Sequence, residues 1–215
     1  MQDPILWYFA DPMCSWCWGF SPVIEAIREE YRDRLKVALI LGGLRVGTTE
    51  AMSATARQEI LQHWHDVHEK TGQTFLFEGA LGEGFVYDTE PACRAVVAMA
   101  ELAPTAVFPL FKAIQMAFYG EGRDVTHHEV LAALAEGMGV EKTAFLAAFG
   151  SEKVRAKTLA HFQMARKLKV NGFPTLVAQR GEQHQVLATG YRPLAELQSD
   201  IEAWFGVNGQ GMIRA

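Results

Sequence analysis

Only three cysteines occur in the 215 residues, too few for disulfides to stand in for a hydrophobic core. Basic charge is not in excess either. The formal net charge is -5 and charged residues make up 21%, which argues against a polyanion such as nucleic acid and leaves proteins or small molecules as partners. No apolar run approaches the length that spans a membrane, and there is no fixed-period repeat or low-complexity tract. The opening stretch "MQDPILWYFADP" has Asp3 where a secretory leader would be basic and too short an apolar run, so a cytoplasmic protein without a membrane partner is expected. Apolar side chains are abundant. At 49% hydrophobic, the chain can bury the core of one large domain or of a domain carrying an insertion.

The two ends of the chain read alike and the middle differs. "ILWYFA", Ile5 to Ala10, is a short aromatic-rich run bounded by Pro4 and Asp11-Pro12 and predicts a buried strand. From Ser15 to Tyr31 apolar residues recur at Val23, Ile24 and Ile27 with charges between them, which predicts a helix kinked at Pro22. "LKVALIL" from Leu35 to Leu41 is a second strand, stopped by the turn Gly42-Gly43, and strand, helix, strand makes a βαβ unit. Between Thr48 and Leu159 helix follows helix, separated by glycine and proline turns, with Thr126 and Glu129 spaced as a capping box. A helix through "RAKTLAHFQMARKL", a strand opened by Pro174, a turn at Arg180-Gly181-Glu182, a strand "HQVLATG" and a helix from Pro193 to Phe205 complete the chain. The fold class is therefore α/β, with residues 1–47 and 160–215 forming the mixed unit and 48–159 an all-helical insertion.

Two of the three cysteines stand as Cys14-Ser15-Trp16-Cys17, a spacing that suits a metal clip, a staple or a redox pair. That motif in "DPMCSWCWGFSP", together with "YDTEPACRAV" and "VNGFPTLV" in this order, resembles the DsbA family of thioredoxin-fold oxidoreductases, in particular its FrnE-like branch of signal-less bacterial proteins. The likeness covers nearly the whole chain. It implies a thioredoxin-like fold interrupted by a helical insertion, and thiol–disulfide oxidoreductase or disulfide isomerase chemistry at Cys14 and Cys17. It further implies a cis Pro174 packed against the pair, with Phe173, Pro174 and Thr175 meeting substrate and the Phe173 backbone free to pair with an extended peptide. Protein or peptide thiols and disulfides are the implied partners, with glutathione as a co-substrate and no other cofactor.

The chemistry of the residues is consistent with that likeness. Positions i and i+3 on a helix lie about 5–6 Å apart, within reach of a disulfide. Cys14 at the helix start would meet unpaired N–H groups and the positive end of the dipole, whereas Cys17 lies one turn further in, so Cys14 is expected to attack and Cys17 to resolve. Ser15-Trp16 brings no positive charge beside the thiolate, which implies a milder oxidant than relatives with Pro-His between the cysteines. Trp16, a large apolar side chain at an exposed tip, is expected to touch substrate.

Other chemistry-bearing residues have plainer readings. One Cys-x-x-Cys without a second pair falls short of a four-ligand zinc site, so no metal is expected. Cys93 reads as core, on a stripe with Val96, Val97 and Ala100. Trp18 and Phe20 read as packing between sheet and insertion. His63, His65 and His68 share a face with Asp66 and Glu69 and read as solvated, as do His127 and His128, for which no acidic or cysteine partner is expected nearby. Met116, Met138 and Met164 read as helix core, and Asp11 as a cap of the cysteine-bearing helix. Two other functions remain open. One is a glutathione-dependent transferase or isomerase like the kappa-class and hydroxychromene-carboxylate enzymes, whose usual serine stands at the Cys14 position. The other is a chaperone whose thiols act as a redox switch.

Overall fold

The computed structural model describes residues 4–209. Four strands, β1 (Ile5–Ala10), β2 (Lys36–Leu41), β3 (Thr175–Arg180) and β4 (Gln183–Thr189), form one sheet in the order β2-β1-β3-β4. β1 and β2 are parallel, joined across helix α1 (Ser15–Glu30), while β3 is antiparallel to both β1 and β4. The expected strand pair therefore closes one edge. A register shift at Leu176/Val177 places a bulge in the β3–β4 pair.

Alternation along β1 sends its side chains to two different cores. Leu6, Tyr8 and Ala10 enter the large cluster shared with α1 and the helical segment, whereas Phe9 packs with Ile40, Val177 and Ala165 under α7 (Glu152–Lys167). The sheet is thus covered on both faces, as the apolar character of its strands requires.

Between β2 and α7 lie α2 (Ala54–Thr71), α3 (Glu90–Leu102), α4 (Val107–Gln115), α5 (His128–Glu136) and α6 (Lys142–Gly150), with a 3₁₀ turn at Pro104–Ala106 and a π turn at Met116–Gly120. α8 (Leu194–Gly209) ends the described chain, with Leu197, Ile201 and Trp204 buried. The fold is the thioredoxin-like α/β arrangement with a helical insertion. The expected boundary at 159/160 falls inside α7, which runs unbroken and packs on both β2 and α3, and one hydrophobic cluster joins the helices to the sheet.

Three expectations about the middle segment are corrected. Thr126 does not cap α5. The helix starts at His128 with His127 as its N-cap, and Thr126 instead turns back to Asp124 through its N–H (2.9 Å) and hydroxyl (2.6 Å). Met116 and Met138 are 38% and 36% exposed and line one groove with Arg28, Met116 standing where the regular α4 pattern gives way to the π turn. His127 and His128 do have acidic neighbours, Asp124 at 3.3 Å and Glu129 at 3.4 Å, all on the surface.

Candidate active site

α1 begins at the cysteines because Asp11-Pro12 ends β1 and the chain then turns: Cys14 is the N-cap, its N–H bonded to the Asp11 carbonyl (3.1 Å) and its carbonyl receiving Trp18 N–H (3.1 Å). No side chain caps the helix. Asp11 therefore does not cap α1, and its carboxylate works elsewhere. Fully buried, it accepts Met13 N–H (2.8 Å) on one oxygen and Leu44 N–H (2.7 Å) on the other, which also receives the Cys93 thiol at 3.4 Å. These bonds tie the turn before Cys14 to the loop after β2. Burial raises the Asp11 pKa, opposed by the Leu44 and Met13 bonds.

The two thiols have different surroundings. Cys14 is 6% exposed and its Sγ lies 3.5 Å from the Phe173 carbonyl, whereas Cys17 is fully buried. Burial pushes the Cys17 pKa well up, and the neighbouring Cys14 sulfur adds to this. Tyr8, beneath α1 and sandwiched between Phe20 (5.8 Å) and Phe111 (6.2 Å), is kept protonated by its burial and then by the two thiols. Cys93 is as buried as Cys17, and burial followed by the Asp11 charge raises its pKa well up. It lies behind the pair against Asp11.

The Phe173–Pro174 peptide bond is cis, and the segment sits over Cys14. Phe173 is held there by Gly42: a Cβ on Gly42 would lie 1.9 Å from the tip of its ring, so the absence of a side chain at Gly42 makes the room. β2 is anchored one residue earlier by His161 of α7, whose Nδ1 accepts Leu41 N–H at 3.1 Å. Thr175 is buried, its hydroxyl donating to the Gly172 carbonyl (2.8 Å), and it does not line the groove beside Cys14.

That groove, of about 560 Å³, is walled by Trp16, Phe173, Gly190 and Tyr191 and, on its other side, by Asp66, Glu69 and Lys70 of α2. Trp16 is half-buried with its ring 6.2 Å from Tyr191. α2 comes this close because Gly19 of α1 has no side chain: a Cβ there would lie 2.8 Å from Val67 and 2.9 Å from Thr71. Pro22 cannot donate to the Trp18 carbonyl four residues back, and Gln73 Nε2 takes its place at 2.9 Å, while Trp18 Nε1 donates to Thr74 O (2.9 Å). Trp18 and Phe20 are buried between sheet and insertion, as expected of them.

Sequence reading brought Cys14, Cys17, Trp16, Phe173 and Pro174 to one place, and the structure puts them together. It missed Tyr191, Tyr8, Gly42 and the groove-facing role of Asp66 and Glu69. Spacing alone placed those two carboxylates on a solvated face, and nothing local marks a lone tyrosine after Gly190. His65 and His68 are exposed, stacked on Phe77 (3.9 Å) and bonded to Gln73 O (2.7 Å). Among the described residues no three His, Cys, Asp or Glu side chains gather as a metal site.

Comparison with known proteins bears on this geometry. A candidate protein disulfide isomerase from Nitrosomonas europaea is 46% identical and superposes with a TM-score of 0.91 over 95% of this chain and 98% of its own. The cytosolic disulfide reductase DsbM from Pseudomonas aeruginosa, also solved with GSH, is 29% identical with a TM-score of 0.78 over 94% of this chain and 99% of its own. Two ClpXP adapter proteins SpxH, from Shouchella clausii and Halalkalibacterium halodurans, are 21% and 20% identical over 80% and 87% of this chain, which spans 56% and 63% of their lengths. The DSBA-like thioredoxin domain matches residues 5–202, and the chain belongs to that family.

Proposed function

We propose that the protein is a thiol–disulfide oxidoreductase, working as a disulfide reductase or isomerase, with Cys14 as nucleophile and Cys17 as resolving thiol. The observation that carries this is the asymmetry of the pair: Cys14 keeps 6% of its surface exposed and lies under Phe173, which walls the groove, whereas Cys17 is fully buried with its proton held by burial. The Cys14 thiolate attacks one sulfur of a substrate disulfide. A new Cys14–substrate S–S bond forms, and the other substrate sulfur leaves as a thiolate and takes a proton. Cys17 then gives up its proton and attacks Cys14 Sγ, expelling the second substrate thiol and leaving a Cys14–Cys17 disulfide. Two electrons have passed to the substrate, and a thiol reductant such as glutathione restores the dithiol.

The relatives named for disulfide reduction and isomerisation, one of them solved with GSH and called cytosolic, support this reading, peptide or glutathione disulfides as substrates and a cytoplasmic setting. The test is a Cys17→Ser variant offered a cystine peptide. It should accumulate a mixed disulfide at Cys14 detectable by intact mass, and the Cys14→Ser variant should accumulate none. A mixed disulfide that forms at Cys93, or forms equally without Cys14, would refute the assignment.

A further inference from the structure

Before Cys17 can attack Cys14 it must become a thiolate with no surface open to water. Burial opposes that charge, the Cys14 sulfur and the Asp11 carboxylate oppose it further, and the Asp11 backbone N–H favours it. A second donor stands beside the same sulfur. Tyr8 lies in the middle of the sheet, between Leu39 of β2 and Leu176 of β3, and is itself fully buried. Its ring is held 5.8 Å from Phe20 and 6.2 Å from Phe111, and Phe20 follows Cys17 by three residues, on the same side of α1. The ionisable groups its hydroxyl faces are the Cys17 and Cys14 thiols, while Tyr87 and Tyr119 bear on Cys14 and Cys93 bears on Asp11. The Tyr8 hydroxyl is a buried polar group without a hydrogen-bond partner, which is rare and calls for a reason. A thiol is a weak acceptor and a thiolate a strong one, so this donor is satisfied only once Cys17 has lost its proton.

We infer that Tyr8 is a further catalytic residue, whose hydroxyl donates a hydrogen bond to the Cys17 thiolate in the resolving step. The inference rests on the thiol–disulfide reading and adds to it the group that meets the buried charge. Burial and the two thiols keep Tyr8 protonated, so it acts as a donor and not as a base. Cys17 sheds its proton to solvent and its thiolate attacks Cys14 Sγ. The Cys14–Cys17 bond forms as the Cys14–substrate bond breaks, and the substrate sulfur leaves with the bonding pair and takes a proton back from solvent. Tyr8 is unchanged at the end. A bond made only to the reactive form speeds the step without holding the resting dithiol.

The test follows the reduced enzyme reacting with a cystine peptide, by rapid acid quench and intact mass, so that formation and resolution of the mixed disulfide at Cys14 are timed separately across pH. Tyr8→Phe should form the mixed disulfide at the wild-type rate. Its pH profile for resolution should move about one unit alkaline, and resolution at neutral pH should slow about threefold, less than the tenfold loss of thiolate because a more basic thiolate is the better nucleophile. Its urea midpoint should not fall, since the hydroxyl it removes leaves no partner stranded. Tyr31→Phe, at the opposite end of α1, should leave both steps unchanged. With 3-fluorotyrosine in place of Tyr8, a hydroxyl that donates more strongly, the profile should move toward acid, and this arm decides the matter should Tyr8→Phe not fold. An unshifted profile, a slowing of both steps alike, or an equal slowing by Tyr31→Phe would each overturn the role of Tyr8 while leaving the thiol chemistry standing. A wild type that forms no mixed disulfide at Cys14 would overturn the oxidoreductase reading, and this inference with it.

Discussion

The sheet side and the α2 side of the cysteine pair differ in how their polar groups are used. On the sheet side, Asp11 is sealed from water with both oxygens bonded, Cys17 and Cys93 are inaccessible thiols, and Tyr87 donates its hydroxyl to the Met13 carbonyl. On the α2 side, Asp66, Glu69 and Lys70 stand in solvent at the edge of an aromatic groove. A buried, fully bonded group fixes geometry because any displacement strands a donor or acceptor, whereas an exposed charge can be exchanged at little cost to stability. The inner side thus holds the thiols in place, and the outer side is free to select what reaches them.

That contrast can be broken most sharply at Asp11. Its replacement by Ala leaves the buried Met13 N–H and the part-buried Leu44 N–H without their acceptor, at about 1–3 kcal/mol for the buried one and less for the other, so urea unfolding should show a loss of about 2–3 kcal/mol. An unchanged midpoint would mean that the inner side does not hold the turn. Next comes Gly42→Ala, which forces the Phe173 ring to move: a loss of about 2 kcal/mol is expected from overpacking. Disulfide exchange should slow as well, since the Phe173 carbonyl shifts off Cys14.

A smaller effect is expected from pH at His161. Its Nδ1 must be unprotonated to accept Leu41 N–H, and burial lowers its pKa, with Lys157 adding to this. The unfolded chain then binds more protons than the folded one just below the ordinary histidine pKa of about 6.5, so stability should fall as pH drops through that value. About 1 kcal/mol, the worth of one hydrogen bond, should be lost, and a His161→Gln variant should show a flatter profile in urea titrations from pH 7.5 to 5. Trp16→Ala is expected to cost about as little, roughly 1 kcal/mol, because the side chain is only half-buried against Tyr191. Its exchange with cystine peptides should nonetheless slow several-fold, which separates the outer role from the inner one.

Much of this was legible in the chain itself. β1 was bounded correctly because Pro4 and Asp11-Pro12 punctuate it, and β2 because Gly42-Gly43 stops it. The cysteines and Phe173-Pro174 were legible because each is a local signal. The groove's second wall was not, because Asp66 and Glu69 look like any solvated helix face until Gly19 and Pro22 bring α2 against α1. Asp11 was misread as a cap since its partners, Leu44 and Cys93, are distant in sequence. Met116 was misread as core too: it stands at the start of a π turn that no periodicity announces.

The most direct measurement is equilibration of the protein in glutathione buffers of graded poise, followed by rapid alkylation and mass spectrometry of each cysteine. The account expects Cys14 and Cys17 to convert together, as one disulfide with a single midpoint, while Cys93 stays a thiol throughout. Separate midpoints for Cys14 and Cys17, or a disulfide that includes Cys93, would contradict it.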